Sequence, residues 1–155
     1  MNLRYIVAGV VQKDNSIILG KKAKGVPPYP DVWHTPGGGV EDVERAKDLF
    51  EKADFDNEYF HSELKRELRE ELGIEVKNIK CIVPEYRKVP REGDSYYADY
   101  GPTHFYFLEY ICDYSSGTLQ ATDDLAEAIW VDKKDIKNYK LTPPSQEMYR
   151  ELRWI

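Results

Sequence analysis

The sequence predicts an α/β domain, and three observations support this class. Short apolar runs of strand type alternate along the chain with segments of helical periodicity. The length of 155 residues matches one ordinary domain. A hydrophobic share of 41% and an aromatic share of 13% are enough for a folded core and exclude a chain that is disordered by composition. We therefore expect one domain over residues 1–155.

The N-terminal part of the chain predicts a β-hairpin. Leu3–Val11 is a continuous apolar run, as in a strand that is buried on both faces, and Ser16–Leu19 resumes this pattern after the turn residues Asp14 and Asn15. Residues 25–31 contain three prolines and a glycine, which indicates a loop. A short extended piece follows over residues 33–39 and ends in three glycines.

Two helices are predicted in the middle of the chain. The first covers residues 42–53, where apolar side chains recur at helical spacing. The second covers residues 58–72, and Gly73 is a natural residue to end it. Beyond it the patterns predict strands at 75–83, 103–112 and 128–131, loops at 88–102 and 115–124, and short helical pieces at 132–137 and 144–152.

The charge on the second predicted helix is unusual. Leu64, Leu68 and Leu72 form its apolar stripe, whereas four glutamates share another arc: Glu63, Glu67, Glu70 and Glu71. The ordinary alternative is a solvated face with ion pairs between residues three or four positions apart. At those positions, however, the neighbours of Glu67 are glutamates and a leucine. Like charges at this spacing, close to the helix C-terminus, are unfavourable. A bound Mg²⁺ or Mn²⁺ would offset the repulsion, since hard cations prefer carboxylate oxygens.

The overall charge narrows the range of partners. A net charge of −6 gives no general attraction to nucleic acid or to an anionic membrane, so we expect neither partner. A phosphate ligand would need a local positive charge, which a divalent cation supplies. No apolar stretch reaches membrane-spanning length. Cys81 and Cys112 show no disulfide framework, which predicts a reduced, cytoplasmic protein.

Two segments together resemble the Nudix box. Gly38–Glu44 fits G-x5-E, and Arg66–Ile74 fits R-E-U-x-E-E-x-G-U at every position, where U is an aliphatic residue. A Trp-x-x-Pro-Gly-Gly segment beginning at Trp33 precedes them, as in many members of that family. The resemblance implies a mixed sheet sandwiched between helices. It also implies Mg²⁺- or Mn²⁺-dependent hydrolysis of the diphosphate linkage of a nucleoside diphosphate derivative, such as a nucleotide, a nucleotide sugar or ADP-ribose. The alternative is a catalytically weak module that binds a nucleotide or regulates a partner.

The spacing within this box departs from the standard one. The standard box has seven residues between its first glutamate and the Arg-Glu pair, whereas 21 lie between Glu44 and Arg66. Glu58 restores the spacing, and we prefer it because the spacing then lies within one rigid helix; Glu44 is the alternative. An insertion of about 14 residues then falls between Gly38 and Glu58 and supplies the helix at 42–53, and loops tolerate such insertions well. We expect a flap near the pocket, so that deleting residues 45–57 changes substrate preference more than folding.

The resemblance also implies roles for individual residues. Glu67, Glu70, Glu71 and the carbonyl of Gly38 are the expected metal ligands, and Arg66 is expected to orient Glu70. The general base is open among Asp123, Asp124 and Glu127. Expected substrate contacts come from Lys21, Lys22, Gly37, Tyr97 and Glu127.

Two further features leave alternatives open. Tyr96, Tyr97 and Tyr100 either stack on a base or contribute to a homodimer contact. Pro90 lies sixteen residues after the box, a position that marks ADP-ribose hydrolysis in one Nudix subgroup. The three histidines and two cysteines lack metal-ligand spacing and are expected to be structural or surface residues.

Overall fold

A computed structural model describes residues 2–22, 31–82, 103–122 and 125–155. The strands are β1 (Asn2–Lys13), β2 (Ser16–Lys22), β3 (Trp33–His34), β4 (Gly37–Gly39), β5 (Ile74–Cys81), β6 (Thr103–Gly117) and β7 (Leu125–Asp132). The helices are α1 (Val43–Glu51), α2 (Glu58–Leu72) and α3 (Pro143–Glu151), with a 3₁₀ helix at Lys133–Asn138 before α3.

The described strands form one mixed sheet around β1. β1 runs parallel to β6 from Asn2 to Gln12, and β5 is antiparallel to the other edge of β6. β2 forms the predicted hairpin with β1 and pairs with β7. The glycine strand β4 also pairs with β1, with Gly38 opposite Val7. The sheet therefore places the glycine segment next to the most buried strand.

Helices cover both faces of this sheet, which confirms the predicted α/β/α arrangement. Tyr5, Val7 and Val11 of β1 join the cluster that includes the leucine stripe of α2. Val10 joins a second cluster with Met148 and Tyr149 of α3. β1 is thus buried on both faces, as its continuous apolar run predicted. Within the described residues, no helix has the length and apolarity needed to span a bilayer.

The bounds of α2 are those that the sequence predicts. The side chain of Asn57 accepts a hydrogen bond from the amide of Tyr59 and caps the first turn. Gly73 ends the helix in the left-handed region, at φ 69°. The last carbonyls of α2 accept hydrogen bonds from the segment after β6: the amide of Gln120 donates to Leu72, and that of Thr122 donates to Glu71.

The ends of two strands differ from the sequence predictions. β6 continues to Gly117 rather than stopping at Cys112, because the polar residues after Cys112 still pair with β5. β7 begins at Leu125 rather than Ala128, because its first residues pair with β2. Pairing with a neighbouring strand therefore extends both elements beyond the apolar runs from which the sequence predicted them.

Helix α1, for which the sequence suggested an inserted flap, packs into the core. Ala46 is fully buried, and the ring of Phe50 lies 5.4 Å from that of Tyr5 and 5.0 Å from that of Tyr106. Past the helix, the carbonyl of Phe55 accepts a hydrogen bond from the hydroxyl of Tyr110 at 2.5 Å. The segment is therefore part of the layer that covers this face of the sheet.

Candidate active site on the acidic helix

The glycine strand β4 meets the acidic face of α2. A Cβ atom on Gly38 would lie 2.3 Å from Oε2 of Glu67, and one on Gly37 would lie 2.0 Å from the carbonyl oxygen of Val7. A side chain on Gly37 would clash with the backbone of β1, so that position requires glycine, whereas the atoms nearest to Gly38 belong to the flexible end of the Glu67 side chain. The amide of Gly37 donates a hydrogen bond to Oε1 of Glu71 at 3.1 Å. Two of the predicted metal ligands, Glu67 and Glu71, therefore lie against the glycine segment.

Arg66 lies at the centre of several carboxylates. Its Nη1 is 3.1 Å from Oε1 of Glu67 and 3.2 Å from Oε2 of Glu70, the carboxylate that Arg66 is expected to orient. Its Nε and Nη2 are 2.8 and 2.7 Å from Oε2 of Glu63. Glu41 lies farther away, at 3.8 Å. One guanidinium thus forms ion pairs with four glutamates.

The expectation that Glu67 has no basic partner on the helix is wrong. The usual partners on a helix surface lie three and four residues away, and at those positions Glu67 has no basic residue. Arg66 directly precedes Glu67, but its long side chain turns back over the same face and reaches the carboxylate. Negative charge still exceeds positive charge here, because one arginine faces several carboxylates.

The electrostatic states of Glu67 and Glu63 differ. Burial raises the pKa of Glu67, the repulsion of Glu70 and Glu63 adds to this shift, and Arg66 opposes it. Burial also acts to raise the pKa of Glu63, but the amide of Glu41, the guanidinium of Arg66 and the hydroxyl of Tyr59 bring it below its usual range. Glu63 is therefore a satisfied carboxylate, whereas the ionised form of Glu67 is disfavoured and would gain from a cation.

The donor set of this site suits a hard divalent cation. The predicted ligands Glu67, Glu70 and Glu71 carry the carboxylate oxygens that such cations prefer, and Gly38 lies close to the carboxylate of Glu67. In the part of the chain that the structure describes, no three His, Cys, Asp or Glu side chains form a preformed metal cage. The carboxylates of Glu67 and Glu70 instead face Arg66, and that of Glu71 faces the amide of Gly37. A cation would therefore compete with Arg66 for Glu67 and Glu70.

Comparison with known proteins identifies the family. The model of the NUDIX domain family matches residues 2–152. The chain belongs to the NUDIX domain family. As a Nudix-type hydrolase it carries the two box segments, Gly38–Glu44 and Arg66–Ile74, on β4 with the start of α1 and on α2 with the start of β5.

Relatives with different substrates resemble this NUDIX chain. It is 31% identical over 143 residues to the nucleoside triphosphatase NudI of Klebsiella pneumoniae, covering 91% of this chain and 90% of the relative. It is 26% identical over 149 residues to an ADP-ribose pyrophosphatase of Methanocaldococcus jannaschii, covering 96% and 72%.

Solved structures share the fold at lower identity. A MutT NUDIX hydrolase from Burkholderia pseudomallei has a TM-score of 0.67 at 20% identity, covering 98% of this chain and 99% of that one. The NUDIX domain of Shewanella oneidensis NrtR, solved in complex with ADP ribose, has a TM-score of 0.64 at 15% identity, covering 98% and 86%. Both likenesses show a common NUDIX fold.

The predicted substrate contacts of this NUDIX chain lie partly on β2. Lys21 pairs with Glu127 in the β2–β7 register and with Trp33 in the β2–β3 register, and its Nζ lies 5.6 Å from the centre of a Trp33 ring. Lys22 follows at the end of the same strand, opposite Leu125. The remaining predicted residues of the substrate and base sets lie outside the described residues: Pro90, Tyr96, Tyr97, Tyr100, Asp123 and Asp124.

Sequence reasoning missed the importance of two residues on α2. Glu63 is 7% exposed, and its Oε1 accepts hydrogen bonds from the amide of Glu41 at 3.0 Å and from the hydroxyl of Tyr59 at 2.9 Å. Tyr59, Glu63 and Arg66 follow one another at four and three residues, which places them on one helix face. This spacing could have indicated the cluster.

A group of buried hydroxyls was also missed. Thr35, next to the glycine segment, donates from its amide to Oγ of Ser145 at 3.0 Å, and its Oγ1 lies 3.1 Å from the hydroxyl of Tyr149. Thr142 donates to the same Ser145 oxygen at 3.0 Å. These bonds tie the chain just before β4 to α3. No spacing rule links residues more than a hundred positions apart, so the sequence alone did not reveal them.

Proposed function

We propose that this Nudix-type hydrolase cleaves the diphosphate linkage of a nucleoside diphosphate derivative and depends on a divalent cation. The observation that carries the proposal is the meeting of β4 with α2, where Gly37 binds Glu71 and Gly38 lies against Glu67. A surplus of carboxylates beside half-buried glycine backbone is suited to share a cation with a phosphate group. On a chain with a net charge of −6, such a cation would supply the positive charge that a phosphate ligand needs.

The proposed roles follow from this arrangement. Glu67, Glu70, Glu71 and the carbonyl of Gly38 would hold Mg²⁺ or Mn²⁺, and the bound ion would neutralise phosphate charge and activate water. Arg66 holds the carboxylates of Glu67 and Glu70 on one side of α2. Asp123, Asp124 and Glu127 are the proposed candidates for the general base.

The relatives guide the choice of substrates to test. One is a nucleoside triphosphatase and the other an ADP-ribose pyrophosphatase. Both classes of compound contain a phosphoanhydride next to a nucleoside. We propose Lys21, Lys22, Gly37, Tyr97 and Glu127 as the residues that contact the phosphates and the base. A panel of nucleoside triphosphates, nucleotide sugars and ADP-ribose, assayed with Mg²⁺ and with Mn²⁺, will identify the class that is hydrolysed.

Substitution of Glu71 tests the site. Glutamine in Glu71→Gln still accepts the hydrogen bond from the Gly37 amide but removes the charge, so we expect the fold to be kept. Loss of a group that only orients a metal ligand commonly lowers metal affinity or activity by about 10–100-fold. Loss of a ligand itself should therefore lower kcat by more than about 100-fold. The measurement is the initial rate on the best substrate of the panel.

Glu75→Gln is the matched control. Glu75 forms an exposed ion pair with Arg69, also on α2, at 2.5 Å, away from the glycine segment. We expect this variant to retain the parental rate. A Glu71→Gln variant as fast as the parent would overturn the site assignment. Calorimetric binding of nucleotides without turnover of any panel member would favour the alternative, a nucleotide-binding or regulatory module.

A further inference from the structure

We propose that Glu63 is a positioning residue that holds Arg66 and thereby sets how strongly Arg66 competes with a cation for Glu67 and Glu70. The inference rests on the proposed function, because it concerns the carboxylates to which that function assigns the metal. It assigns a role within α2 to a residue outside the two recognisable segments of the box.

Glu63 contacts a different part of the guanidinium from Glu67 and Glu70. Its Oε2 accepts from Nε of Arg66 at 2.8 Å and lies 2.7 Å from Nη2. Only Nη1 is then directed to Glu67 and Glu70, at 3.1 and 3.2 Å. These two contacts, both with the single oxygen Oε2, are shorter than those of Nη1 with Glu67 and Glu70. Glu63 therefore has the larger share of Arg66.

Glu63 is itself fixed from the other side. Its Oε1 accepts from the amide of Glu41 and from the hydroxyl of Tyr59, and that hydroxyl accepts from the amide of Asp42 at 2.9 Å. The loop between the glycine strand and α1 is thus bonded to α2 through Glu63 and Tyr59. With 7% of its surface exposed, Glu63 has little freedom to move. These bonds make it a fixed anchor for Arg66.

Neither Glu44 nor Glu58, the two candidates for the first glutamate of the box, is the anchor of Arg66. Glu44 lies in the first turn of α1 and Glu58 in the first turn of α2, and both side chains are exposed. Within the described ranges, the carboxylates paired with Arg66 are those of Glu41, Glu63, Glu67 and Glu70. With α1 inserted between the two halves of the box, the anchoring carboxylate comes from within α2.

Glu63→Gln separates anchoring from folding. Its amide oxygen can still accept from Glu41 and Tyr59, but its NH₂ group then faces the donors of Arg66. The guanidinium is released and can bind Glu67 and Glu70 with more than one nitrogen. Loss of partners that orient metal ligands commonly weakens metal affinity by 10–100-fold. We therefore expect Glu63→Gln to weaken Mn²⁺ binding by about 10-fold or more.

The experiment titrates Mn²⁺ into the full chain by calorimetry, with no nucleotide present. Glu63→Asp, which keeps the charge, should lie between the parent and Glu63→Gln, and Glu75→Gln should equal the parent. In parallel, the Nε–H signal of Arg66 is followed by ¹⁵N NMR without metal. A bonded Nε–H exchanges slowly with water, so the signal should be present in the parent and broadened in Glu63→Gln.

The outcomes separate the two proposals. Unchanged Mn²⁺ affinity and an unchanged Arg66 signal in a folded Glu63→Gln would overturn the role of Glu63, even if the parent is an active hydrolase. A parent that binds Mn²⁺ in a Glu63-dependent way but hydrolyses no panel substrate would overturn the proposed reaction and leave the role of Glu63 standing. A parent that binds no Mn²⁺ would overturn both. If Glu63→Gln does not fold, Tyr59→Phe decides, since it removes one bond to Glu63: a weaker Mn²⁺ affinity supports the role and an unchanged one overturns it.

Discussion

Individual side chains in the candidate site show how charge is distributed at short range. Arg66 faces Glu41, Glu63, Glu67 and Glu70, so its single charge compensates only part of theirs. Helix geometry predicted a surplus of negative charge, but it did not predict that Arg66 would reach Glu67. The surplus, rather than the absence of a partner, is the physical reason to expect a cation at this face.

The half-buried imidazole of His34 leads to a prediction about pH. Burial and, to a smaller extent, the charge of Lys22 lower the pKa of His34 from 6.5 to about 4, although a hydrogen bond with the backbone of Gly20 opposes the shift. Between pH 6.5 and 4 the unfolded chain therefore binds a proton here that the folded chain does not. Unfolding takes up this proton, so the contribution of His34 to stability is lost as pH falls through this window. His34→Gln should lose less free energy of unfolding between pH 7 and pH 5.

Urea unfolding of the parent and of His34→Gln at both pH values measures this effect. The difference between the two proteins isolates His34, because the acidic residues are common to both. At pH 7.5 the imidazole is neutral in both states, and a comparison there gives the cost of the substitution itself. Equal losses of stability on acidification in the two proteins would contradict the prediction.

At the level of helices and strands, the sequence predicted the elements whose signals are local. The bounds of α2 follow from its leucine stripe, the cap at Asn57 and the left-handed Gly73. The end of β6 could not be predicted, since its last residues are polar and depend on pairing with β5. The place of α1 could not be predicted either. Its apolar periodicity shows that one face is buried, but the covering surface is the sheet, which lies far away in sequence.

The packing of α1 predicts that this helix contributes to stability. Phe50 contacts the rings of Tyr5, Phe55 and Tyr106, with centroids 5.0–5.4 Å apart. Truncating a buried phenylalanine typically costs about 3–5 kcal/mol, and Phe50 is only half-buried. Phe50→Ala should therefore lower the free energy of unfolding by roughly 2–3 kcal/mol. Chemical denaturation measures it, and deletion of residues 45–57 should be more destabilising still.

Asp48→Ala is the control for this prediction. Asp48 lies on the same helix and pairs with Lys52 at 2.9 Å, but both side chains are more than half exposed. Exposed pairs of this kind contribute about 0.3–0.5 kcal/mol, so the variant should be nearly as stable as the parent. A Phe50→Ala variant as stable as Asp48→Ala would show that α1 is peripheral, as expected of a flap.

Across the whole molecule, the fold joins segments that are distant in sequence around a negatively charged site. β1 carries the glycine strand on one edge, and α2 packs over its face, so Gly37 and Glu71 meet although 34 positions separate them. The hydroxyls of Thr35 and Ser145 fix the same segment to the opposite layer, 110 positions away. Both helical layers thus hold the glycine segment in place. A ligand that binds there would therefore bind the folded chain and not the unfolded one.

This coupling predicts that a divalent cation stabilises the folded protein. A ligand that binds only the folded state adds about 2.7 kcal/mol at a concentration 100 times its Kd. For a chain of 155 residues this corresponds to a rise in Tm of roughly 5–10 °C. Thermal unfolding with and without Mn²⁺ or Mg²⁺ measures the shift, which should be much smaller in Glu71→Gln and unchanged in Glu75→Gln. A full shift in Glu71→Gln would place the cation elsewhere, because stabilisation by mass action requires an intact site.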